Sequence, residues 1–226
     1  EVQSGAILSS IKNLAINNGR LFPLSLASEG SCQIGGNLAT NAGGLNVIKY
    51  GNVRDLCLGL EAVLPNGKIL SSMKSLKKNN MGFDLKNLLI GSEGTLGIIT
   101  SAILKTFPIP KNPVSVFFSV KDLEDVIFVF KKISDVFQDR ILAFELIKNT
   151  GIDFIKETGF LINSPFTKNT DWTVLMEIEV NIGAISLNEI LEQTLYDCIL
   201  KNKIVEVFFA NTLNQRNEFW KIRELI

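Results

Sequence analysis

The chain has 226 residues, of which 46% are hydrophobic and 20% charged, and this composition excludes a chain that stays disordered. Basic and acidic residues number 23 each, so the net charge of zero excludes a protein drawn to nucleic acid or an anionic membrane by overall charge. No apolar run reaches the ~18 residues of a membrane-spanning helix, and the first residues, EVQSGAILSS, lack the pattern of a signal peptide. We therefore expect a soluble intracellular protein with one substantial core or two modest ones.

The sequence contains no histidine and three cysteines. Histidine is the commonest general base and transition-metal ligand, so these residues alone cannot form a Ser-His-Asp triad or a histidine-ligated zinc site. Cys32, Cys57 and Cys198 are widely spaced and include no Cys-x-x-Cys pair. This pattern favours small, buried, reduced thiols over a disulfide framework.

Three elements are predicted in the first half. Residues 6–18, AILSSIKNLAINN, have apolar side chains at helical spacing, and Gly19 follows at the position of a helix C-cap. In CLGLEAVLPNGKIL, two β-like runs flank Asn66-Gly67, which predicts an antiparallel hairpin over 56–71. The segment 88–104, LLIGSEGTLGIITSAIL, mixes β-branched residues with glycines and predicts a strand interrupted by a tight turn.

A proline-rich stretch, TFPIPKNPV, predicts a domain boundary, because three prolines end the preceding element and stiffen the connection. We therefore expect two domains, 1–108 and 109–226. The second domain shows four strand patterns alternating with four helix patterns: strand 114–120, helix 122–137, strand 140–147, helix 149–158, strand 172–181, helix 186–201, strand 204–210 and helix 212–225. This alternation predicts a small α/β or α+β layer.

Residues 35–44 read GGNLATNAGG, a stretch whose side chains are too small to build a core. Consecutive small residues let backbone N–H groups converge on an anion, because no Cβ keeps the ligand away. The lysine and hydroxyl of a nucleotide P-loop are absent, and Gly-x-Gly-x-x-Gly does not occur in this stretch. From the residues alone, a site for a nucleotide-like ligand and an ordinary packing turn both remain open.

Two long motifs carry a family resemblance: GSCQIGGNLATNAGGLNVIKYGNVRDLCLGLEAVLPNGKIL and NMGFDLKNLLIGSEGTLGIIT. Together they resemble the second half of the PCMH-type FAD-binding domain in flavoproteins of the vanillyl-alcohol-oxidase superfamily. Within it the sequence is most similar to the FAD-linked D-2-hydroxy-acid dehydrogenases, a group that includes D-2-hydroxyglutarate dehydrogenase, D-lactate dehydrogenase and the glycolate oxidase D-subunit. The resemblance implies an α+β protein in which this half-domain precedes a ferredoxin-like α/β substrate cap with an antiparallel sheet.

The resemblance also implies which residues hold FAD. The first motif wraps the pyrophosphate and the flavin edge with Gly35, Gly36, Asn37, Thr40, Asn41, Gly43 and Gly44. Ser31 and Cys32 match the family pattern too, and Ser31 is counted among the cofactor-binding residues. The second motif packs against the nucleotide half with Glu93, Gly94, Thr95, Gly97, Ile98 and Ile99. Arg54 matches the family pattern as well, and a structural salt bridge with Asp55 stays open as the alternative.

The last predicted helix contains the segment EFWKIRELI, in which Trp220 and Arg223 are three residues apart and share a helical face. A planar guanidinium can hold a carboxylate through two parallel hydrogen bonds. The family has an arginine in a W-x-x-R-E segment at the substrate carboxylate, so the resemblance implies substrate binding by Arg223. From the residues alone, an exposed helix end with a charged pair is the alternative.

The family pattern extends beyond this chain at both ends. The family has a first FAD half-domain before the region of Glu1, and after the W-x-x-R-E helix a segment with the outline His-x-Gly-Asp-Gly-Asn. That later segment supplies the catalytic base and the ligands of a divalent metal of zinc or manganese type. We therefore expect no catalytic base and no metal ligand in these 226 residues, and we expect the chain to be the interior of a larger enzyme.

The resemblance implies an oxidoreductase that oxidises a D-2-hydroxy acid to the 2-oxo acid by hydride transfer from C2 to the flavin. The alternatives are a non-catalytic or split-gene remnant, and an alkyl-transferring or sugar-oxidising member of the superfamily. Expected partners are the hydroxy acid and an electron-acceptor protein or quinone, with a homodimer left open and nucleic acid excluded. The expected location is the bacterial cytoplasm, with membrane association left open, or the mitochondrion of a eukaryote.

Overall fold

The protein is described by a computed structural model that covers residues 1–76, 78, 80, 82–111, 113–159, 165–182 and 185–226. The chain forms two compact units, Glu1–Ile109 and Pro110–Ile226. Each unit has its own hydrophobic core, and each is described below by itself.

The first unit combines short helices with short strands. Its elements, in chain order, are β1 (Val2–Gln3), α1 (Leu8–Asn17), β2 (Arg20–Leu21), α2 (Ile34–Ala39), α3 (Val47–Tyr50), β3 (Cys57–Val63), β4 (Ile69–Ser72), α4 (Lys86–Leu89), β5 (Ile98–Leu104) and β6 (Phe107–Pro108). Four of the strands form an antiparallel sheet in the order β1-β5-β3-β4, and β2 pairs with β6.

The core of the first unit brings α1, α2 and this sheet together. Leu8 and Ile11 of α1, Ile34 and Leu38 of α2, and Leu60 of β3 are all buried in one cluster. The start of α2 is fixed to the chain before α1, because Ile34 N–H donates to the carbonyl of Ala6. Packing therefore holds the glycine-rich helix even though glycine is a poor helix former.

Two local predictions for the first unit are confirmed. The predicted first helix is α1, and Gly19 follows its C-cap with φ +67°, a conformation that favours glycine. The predicted hairpin is β3–β4, in which Gly67 has φ +77° and donates to the carbonyl of Leu64.

The prediction of an interrupted strand over 88–104 is wrong in its first part. Lys86–Leu89 form the helical turn α4, and the strand starts at Ile98. The side chain of Asp84 accepts hydrogen bonds from Lys86 Nζ at 2.6 Å and Asn87 Nδ2 at 2.9 Å, which stabilises this turn. A short apolar run does not by itself separate a buried helix from a strand, which explains the error.

The second unit is a four-stranded sheet with helices on both faces. Its elements are β7 (Val114–Val120), α5 (Leu123–Phe137), a 3₁₀ turn (Gln138–Arg140), β8 (Ile141–Lys148), α6 (Asn149–Glu157), β9 (Trp172–Ile178), β10 (Asn181–Ile182), β11 (Ile185–Ser186), α7 (Asn188–Leu200), β12 (Glu206–Phe209) and α8 (Leu213–Glu224). The order is β12-β7-β9-β8 with antiparallel neighbours, and β10 pairs with β11.

Numbered along the chain, the four long strands lie in the order 4-1-3-2, which is the ferredoxin-like arrangement, and the expected antiparallel sheet is confirmed. One face packs against α5 and α7, with Val116, Phe118 and Val120 of β7 in the core. The other face packs Phe117 against α6 and α8. Because both faces are covered, β7 is almost continuously apolar.

The predicted elements of the second unit are confirmed within a few residues, with one exception. The strand expected over 172–181 ends at Ile178, and β10 and β11 form a separate hairpin, whose residues 183 and 184 lie outside the described part of the chain. Side-chain caps define two helix starts: Asp122 accepts from Asp125 N–H before α5, and Thr212 accepts from Gln215 N–H before α8.

Two further predictions concern the cysteines and the membrane. All three cysteines are free thiols; Cys57 and Cys198 are buried as expected, whereas Cys32 is half-buried. Burial raises the pKa of the Cys57 thiol to about 11, which keeps it protonated and unreactive at neutral pH. Among the described residues, no helix has the length and apolar character needed to cross a membrane.

Candidate functional site

The structure brings the two glycine-rich segments together at the end of α2. Gly91 N–H donates to the carbonyl of Leu38 at 3.0 Å, and Glu93 N–H donates to the carbonyl of Ala39 at 2.9 Å. These carbonyls lie at the helix C-terminus, where the last backbone acceptors need partners from outside the helix. The turn at 91–94 therefore caps α2, and residues far apart in the sequence form one backbone surface.

Left-handed backbone conformations shape both segments. Asn41 has φ +49°, and its side-chain Oδ1 accepts from Arg54 N–H at 3.2 Å. Glu93 and Gly94 are consecutive residues with φ +51° and +80°. Such values are uncommon for residues other than glycine, and they reverse the chain direction in a very short span.

Three of the candidate cofactor residues are glycines that the packing requires. A Cβ on Gly44 would lie 2.3 Å from the carbonyl oxygen of Ser25, and a Cβ on Gly35 would lie 2.5 Å from Cβ of Ser4. A Cβ on Gly97 would lie 2.8 Å from the carbonyl oxygen of Val63. Close approach of neighbouring backbone therefore explains these glycines without a ligand.

Gly36 and Gly43 have a different environment. Both are exposed, and no heavy atom lies within 4 Å of a Cβ built on Gly36. At Gly43 the nearest atom is the side-chain Oδ1 of Asn52 at 3.3 Å. Within the described residues, neither backbone N–H has a hydrogen-bond acceptor. Both glycines therefore leave backbone donors on the outer side of the segment, and Gly36 also leaves open space there.

The polar side chains of the first motif are mostly engaged inside the unit. Asn37 is buried and its Nδ2 lies 3.5 Å from the sulfur of Cys32, while the Thr40 hydroxyl donates to the carbonyl of Gly36 at 3.0 Å. The Ser31 hydroxyl donates to the carbonyl of Ser28 at 3.3 Å. These contacts hold the segment in shape, so backbone groups are what it presents outward.

The second motif is divided between solvent and core. Glu93, Gly94, Thr95 and Ile98 are exposed, and Ile98 exposes 65% of its surface although it is apolar. Ile99 is buried in the core of the first unit. The alternating exposure of Ile98 and Ile99 follows from the strand, in which successive side chains point to opposite faces.

Arg54 has a structural role that the sequence left open. Its guanidinium donates to the carbonyl of Asn87 and, at 2.6 Å, to the carbonyl of Ile90, which joins the loop after α3 to the turn that carries Gly91. The alternative salt bridge with Asp55 is not formed, because the Asp55 carboxylate accepts from Asn52 N–H at 3.0 Å instead.

In the second unit, α8 meets a buried carboxylate on the sheet. Glu177 of β9 is 6% exposed, and its Oε1 accepts from Arg216 Nε at 2.6 Å, Ser115 Oγ at 2.8 Å and Trp220 Nε1 at 3.2 Å. Its Oε2 accepts from Arg216 Nη2 at 3.0 Å. The hydrogen bond to Glu177 raises the pKa of the Arg216 guanidinium above its usual value, although burial opposes this.

Arg223 lies one turn farther along α8 than Trp220 and faces the same sheet. Its Nε donates to Oε2 of Glu145 on β8 at 2.9 Å, with 38% of the Arg223 side chain exposed. The predicted shared face of Trp220 and Arg223 is therefore present, and Arg216 completes it at i, i+4 and i+7 spacing. The charged partner of Arg223 comes from the sheet and not from the helix end itself.

Sequence reasoning missed Glu145, Glu177 and Arg216. A signal was present, because ILAFELIK and WTVLMEI each place one glutamate among mainly apolar residues of a strand. A carboxylate buried in a sheet requires a basic or hydrogen-bonding partner, and α8 is the helix with two arginines. Only the three-dimensional packing shows which strand each arginine reaches.

No group of three or more cysteine, aspartate or glutamate side chains in the described ranges is arranged to hold a metal ion. The expected metal site belongs to a segment outside these 226 residues, so it stays a prediction.

The chain matches two protein families over separate regions. Residues 1–72 match the FAD binding domain family, and residues 109–226 match the C-terminal domain of FAD linked oxidases. The two matches fall in different compact units of the structure.

Individual relatives agree with these matches. The chain is 34% identical over 224 residues to the mitochondrial D-2-hydroxyglutarate dehydrogenase of Arabidopsis thaliana, covering 98% of this chain and 40% of that protein. It is 43% identical over 227 residues to a putative mitochondrial D-lactate dehydrogenase of Schizosaccharomyces pombe, covering 99% of this chain and 42% of that protein. The chain thus spans about two fifths of the length of these relatives.

A solved structure with the same fold is that of an alkyldihydroxyacetonephosphate synthase, with a TM-score of 0.69 and 20% sequence identity over 99% of this chain and 43% of that one. This likeness supports the α+β architecture of both units. With both of its regions matched, the chain belongs to the family of FAD-linked oxidases.

Proposed function

We propose that this chain is part of an FAD-dependent enzyme that oxidises a D-2-hydroxy acid to the corresponding 2-oxo acid. The observation that carries the proposal is the joined glycine-rich surface, in which α2 and the turn at 91–94 meet through two backbone hydrogen bonds. Family membership supports the flavin cofactor, and the dehydrogenase relatives support the class of reaction.

Two features of the first unit support FAD as its ligand. The space beside Gly36 is open, so a Cβ there would occupy volume that a ligand needs. The N–H groups of Gly36 and Gly43 have no acceptor among the residues that the structure describes, and exposed backbone donors suit the pyrophosphate and the polar edge of a flavin. In this proposal Ile98 adds an exposed apolar contact to the cofactor.

The other predicted cofactor residues stay part of the proposal, in which they shape the segment that holds FAD. The side chains of Asn37, Thr40 and Asn41 make hydrogen bonds or contacts within the first unit, and these hold the segment in shape. Residues 1–108 hold the cofactor in this proposal, and residues 109–226 contribute the substrate cap.

In the second unit, Arg223 is the proposed anchor for the carboxylate of the hydroxy acid. Its side chain is partly exposed, and only its Nε is used by Glu145 among the described residues. The two Nη atoms can therefore donate to an incoming carboxylate, which is a charge-assisted and directional contact. Bound FAD supplies the acceptor for the hydride that leaves C2 of the substrate.

Arg216 is less suited to this role than Arg223, because its neighbouring carboxylate accepts from two guanidinium nitrogens instead of one. Its Nε and Nη2 are bonded to Glu177, which is buried and already carries four hydrogen bonds, although 35% of the Arg216 side chain is exposed. An arginine held in this way fixes the helix to the sheet, whereas Arg223 keeps donors for a ligand.

The test starts from the protein in its natural full length, purified and examined for a bound flavin. The flavin is released and identified, and the holoprotein is then titrated anaerobically with the D and L forms of lactate and 2-hydroxyglutarate. We expect FAD and bleaching of its visible band by a D form, with the L forms inactive.

Two results contradict the proposal. Absence of bound flavin removes the cofactor assignment. Bound FAD that no 2-hydroxy acid reduces removes the substrate class and points to an alkyl-transferring or sugar-oxidising enzyme on the same fold. The electron acceptor is proposed to be a protein or a quinone, which is checked by comparing artificial dyes, quinone analogues and oxygen as oxidants.

A further inference from the structure

The sheet face under α8 carries two glutamates, and each one meets a different arginine. Glu177 on β9 pairs with Arg216, and Glu145 on the neighbouring strand β8 pairs with Arg223. In the register of the two strands, Glu145 lies opposite Leu175 and Glu177 lies opposite Ala143. The two ion pairs therefore lie next to each other on one face of the sheet, and they differ in hydrogen bonding and exposure.

In the Arg216–Glu177 pair, both carboxylate oxygens accept hydrogen bonds from the arginine. Two hydrogen bonds join the guanidinium to both carboxylate oxygens, Ser115 and Trp220 add two more, and the Glu177 side chain is only 7% exposed. A buried carboxylate with this many donors is satisfied without any ligand. Its effect is to fix the position and rotation of α8 on the sheet.

The Arg223–Glu145 pair uses fewer of its hydrogen-bonding atoms. One hydrogen bond joins Nε to Oε2, and the two side chains are 38% and 23% exposed. Oε1 of Glu145 and both Nη atoms of Arg223 have no hydrogen bond within the described part of the chain. A single contact at Nε restrains the guanidinium while leaving the Nη side available.

We propose that Glu145 is a positioning residue that holds Arg223 at Nε, so that the two Nη atoms are presented to the carboxylate of the substrate. This inference rests on the proposed function, in which Arg223 binds that carboxylate. Glu145 thereby reduces the rotamer freedom that a long arginine side chain otherwise loses when the ligand binds. Its negative charge also limits the affinity, because it repels a second carboxylate nearby.

The two effects of Glu145 can be separated by two uncharged replacements. Glu145→Gln removes the charge and keeps an oxygen that accepts from Nε. Glu145→Leu removes both the charge and the acceptor and has a similar size. The difference between these variants therefore reports the Nε hydrogen bond alone, and the difference between glutamine and the natural glutamate reports the charge.

The experiment uses the full-length holoprotein and measures the Kd of the 2-oxo acid product by calorimetry, with pyruvate or 2-oxoglutarate chosen according to the active hydroxy acid. We expect Kd to be about tenfold higher for Glu145→Leu than for Glu145→Gln, the size of the ordering cost of one long side chain. The KM of the hydroxy acid follows the same order, with a smaller change in kcat. Glu145→Met repeats the comparison if the leucine variant folds poorly.

A coupled variant links the effect to Arg223. In an Arg223→Met background, glutamine and leucine at position 145 are expected to give equal Kd values, because the group they orient is gone. Glu218→Gln, an exposed change on the same helix, serves as the control for charge alone and leaves Kd unchanged.

The outcomes separate this inference from the proposed function. Equal Kd values for Glu145→Gln and Glu145→Leu, with Arg223→Met weakening the ligand, overturn the positioning role and leave the substrate anchor intact. An Arg223→Met variant that binds the 2-oxo acid as well as the natural protein overturns the anchor, and the positioning role fails with it.

Discussion

The two regions that carry the proposed function differ in the groups that would contact a ligand, which are backbone groups in one and charged side chains in the other. In the first unit, the candidate cofactor surface depends on backbone, because Asn37 is buried, the Thr40 hydroxyl is bonded to the Gly36 carbonyl, and Gly36 and Gly43 are exposed. In the second unit, the candidate substrate anchor consists of charged side chains held between α8 and the sheet. We therefore expect ligand binding at the first site to be weakened by an added methyl group, and ligand binding at the second site to be weakened by the removal of a charge.

Within each region, neighbours that look alike in the sequence have different roles. Gly36 and Gly44 belong to one motif, yet a Cβ meets open space at the first and the Ser25 carbonyl at the second. Arg216 and Arg223 belong to one helix, yet Arg216 donates two hydrogen bonds to Glu177 whereas Arg223 donates one, from Nε to Glu145. Paired substitutions at these positions separate folding from binding.

The largest effect is expected for Arg216→Met. This change leaves the buried Glu177 carboxylate with two hydrogen bonds from Ser115 and Trp220 and no cation, which costs about 3 kcal/mol of unfolding free energy. Denaturant unfolding followed by circular dichroism measures it. A loss below about 1 kcal/mol would place Arg216 among ordinary surface ion pairs and remove the contrast with Arg223.

Gly44→Ala is expected to be nearly as damaging in the first unit. The added Cβ would lie 2.3 Å from the Ser25 carbonyl oxygen, so the backbone must shift, at a cost of about 2 kcal/mol. The same unfolding measurement applies, with Gly5→Ala as the control because nothing lies within 4 Å of its Cβ. Equal stability of the two variants would contradict the packing role of Gly44.

Arg223→Met is expected to change binding and leave folding nearly intact. Its ion pair with Glu145 is partly exposed, so the stability loss should stay below about 1 kcal/mol. The KM of the hydroxy acid is expected to rise by about tenfold or more, because the carboxylate loses its charged donor. An unchanged KM with a large stability loss would reverse the roles of the two arginines.

The smallest effect concerns Glu206, whose carboxylate accepts from the hydroxyl and N–H of Thr167 and from Lys168 N–H. Burial raises the pKa of Glu206, but the hydrogen bonds from Thr167 and Lys168 outweigh it and lower the pKa below its usual value. A lowered pKa contributes stability that is present above the pKa of the unfolded chain and lost as the pH falls through the folded value.

Glu206→Gln should therefore flatten the acid limb of a plot of unfolding free energy against pH by a few tenths of a kcal/mol. Glu218→Gln provides the comparison, since that side chain is exposed on α8. Identical acid limbs for the natural protein and Glu206→Gln would show that these hydrogen bonds do not contribute.

Much of the fold could be predicted because the decisive signals are local. Asn66-Gly67 between two β-like runs specifies the β3–β4 hairpin, and the alternating periods of the second unit specify the order of its strands and helices. The segment around Leu89 and Ile90 could not be assigned from its pattern, because a short buried apolar run suits both a helix and a strand.

The candidate sites could be predicted only in part. The glycine motif points to close backbone approach, but it does not say which glycines approach the chain itself and which face outward. The helix pattern places Trp220 and Arg223 on one face, but the partner carboxylates come from strands about 40 to 80 residues earlier in the chain. Such long-range pairings depend on sheet register, which the helix sequence does not contain.

The central claim is that the outward glycines of the first unit form the flavin surface, and Gly36→Ala tests it most directly. Alanine fits without contact at this position and favours the helix over glycine, so stability should be unchanged or raised by up to about 1 kcal/mol. In the full-length protein, we predict that the retained flavin falls by about tenfold or more because the methyl group occupies ligand space. Gly5→Ala, measured alongside, should retain flavin fully. A stable Gly36→Ala protein that binds flavin as tightly as the natural one would contradict the account.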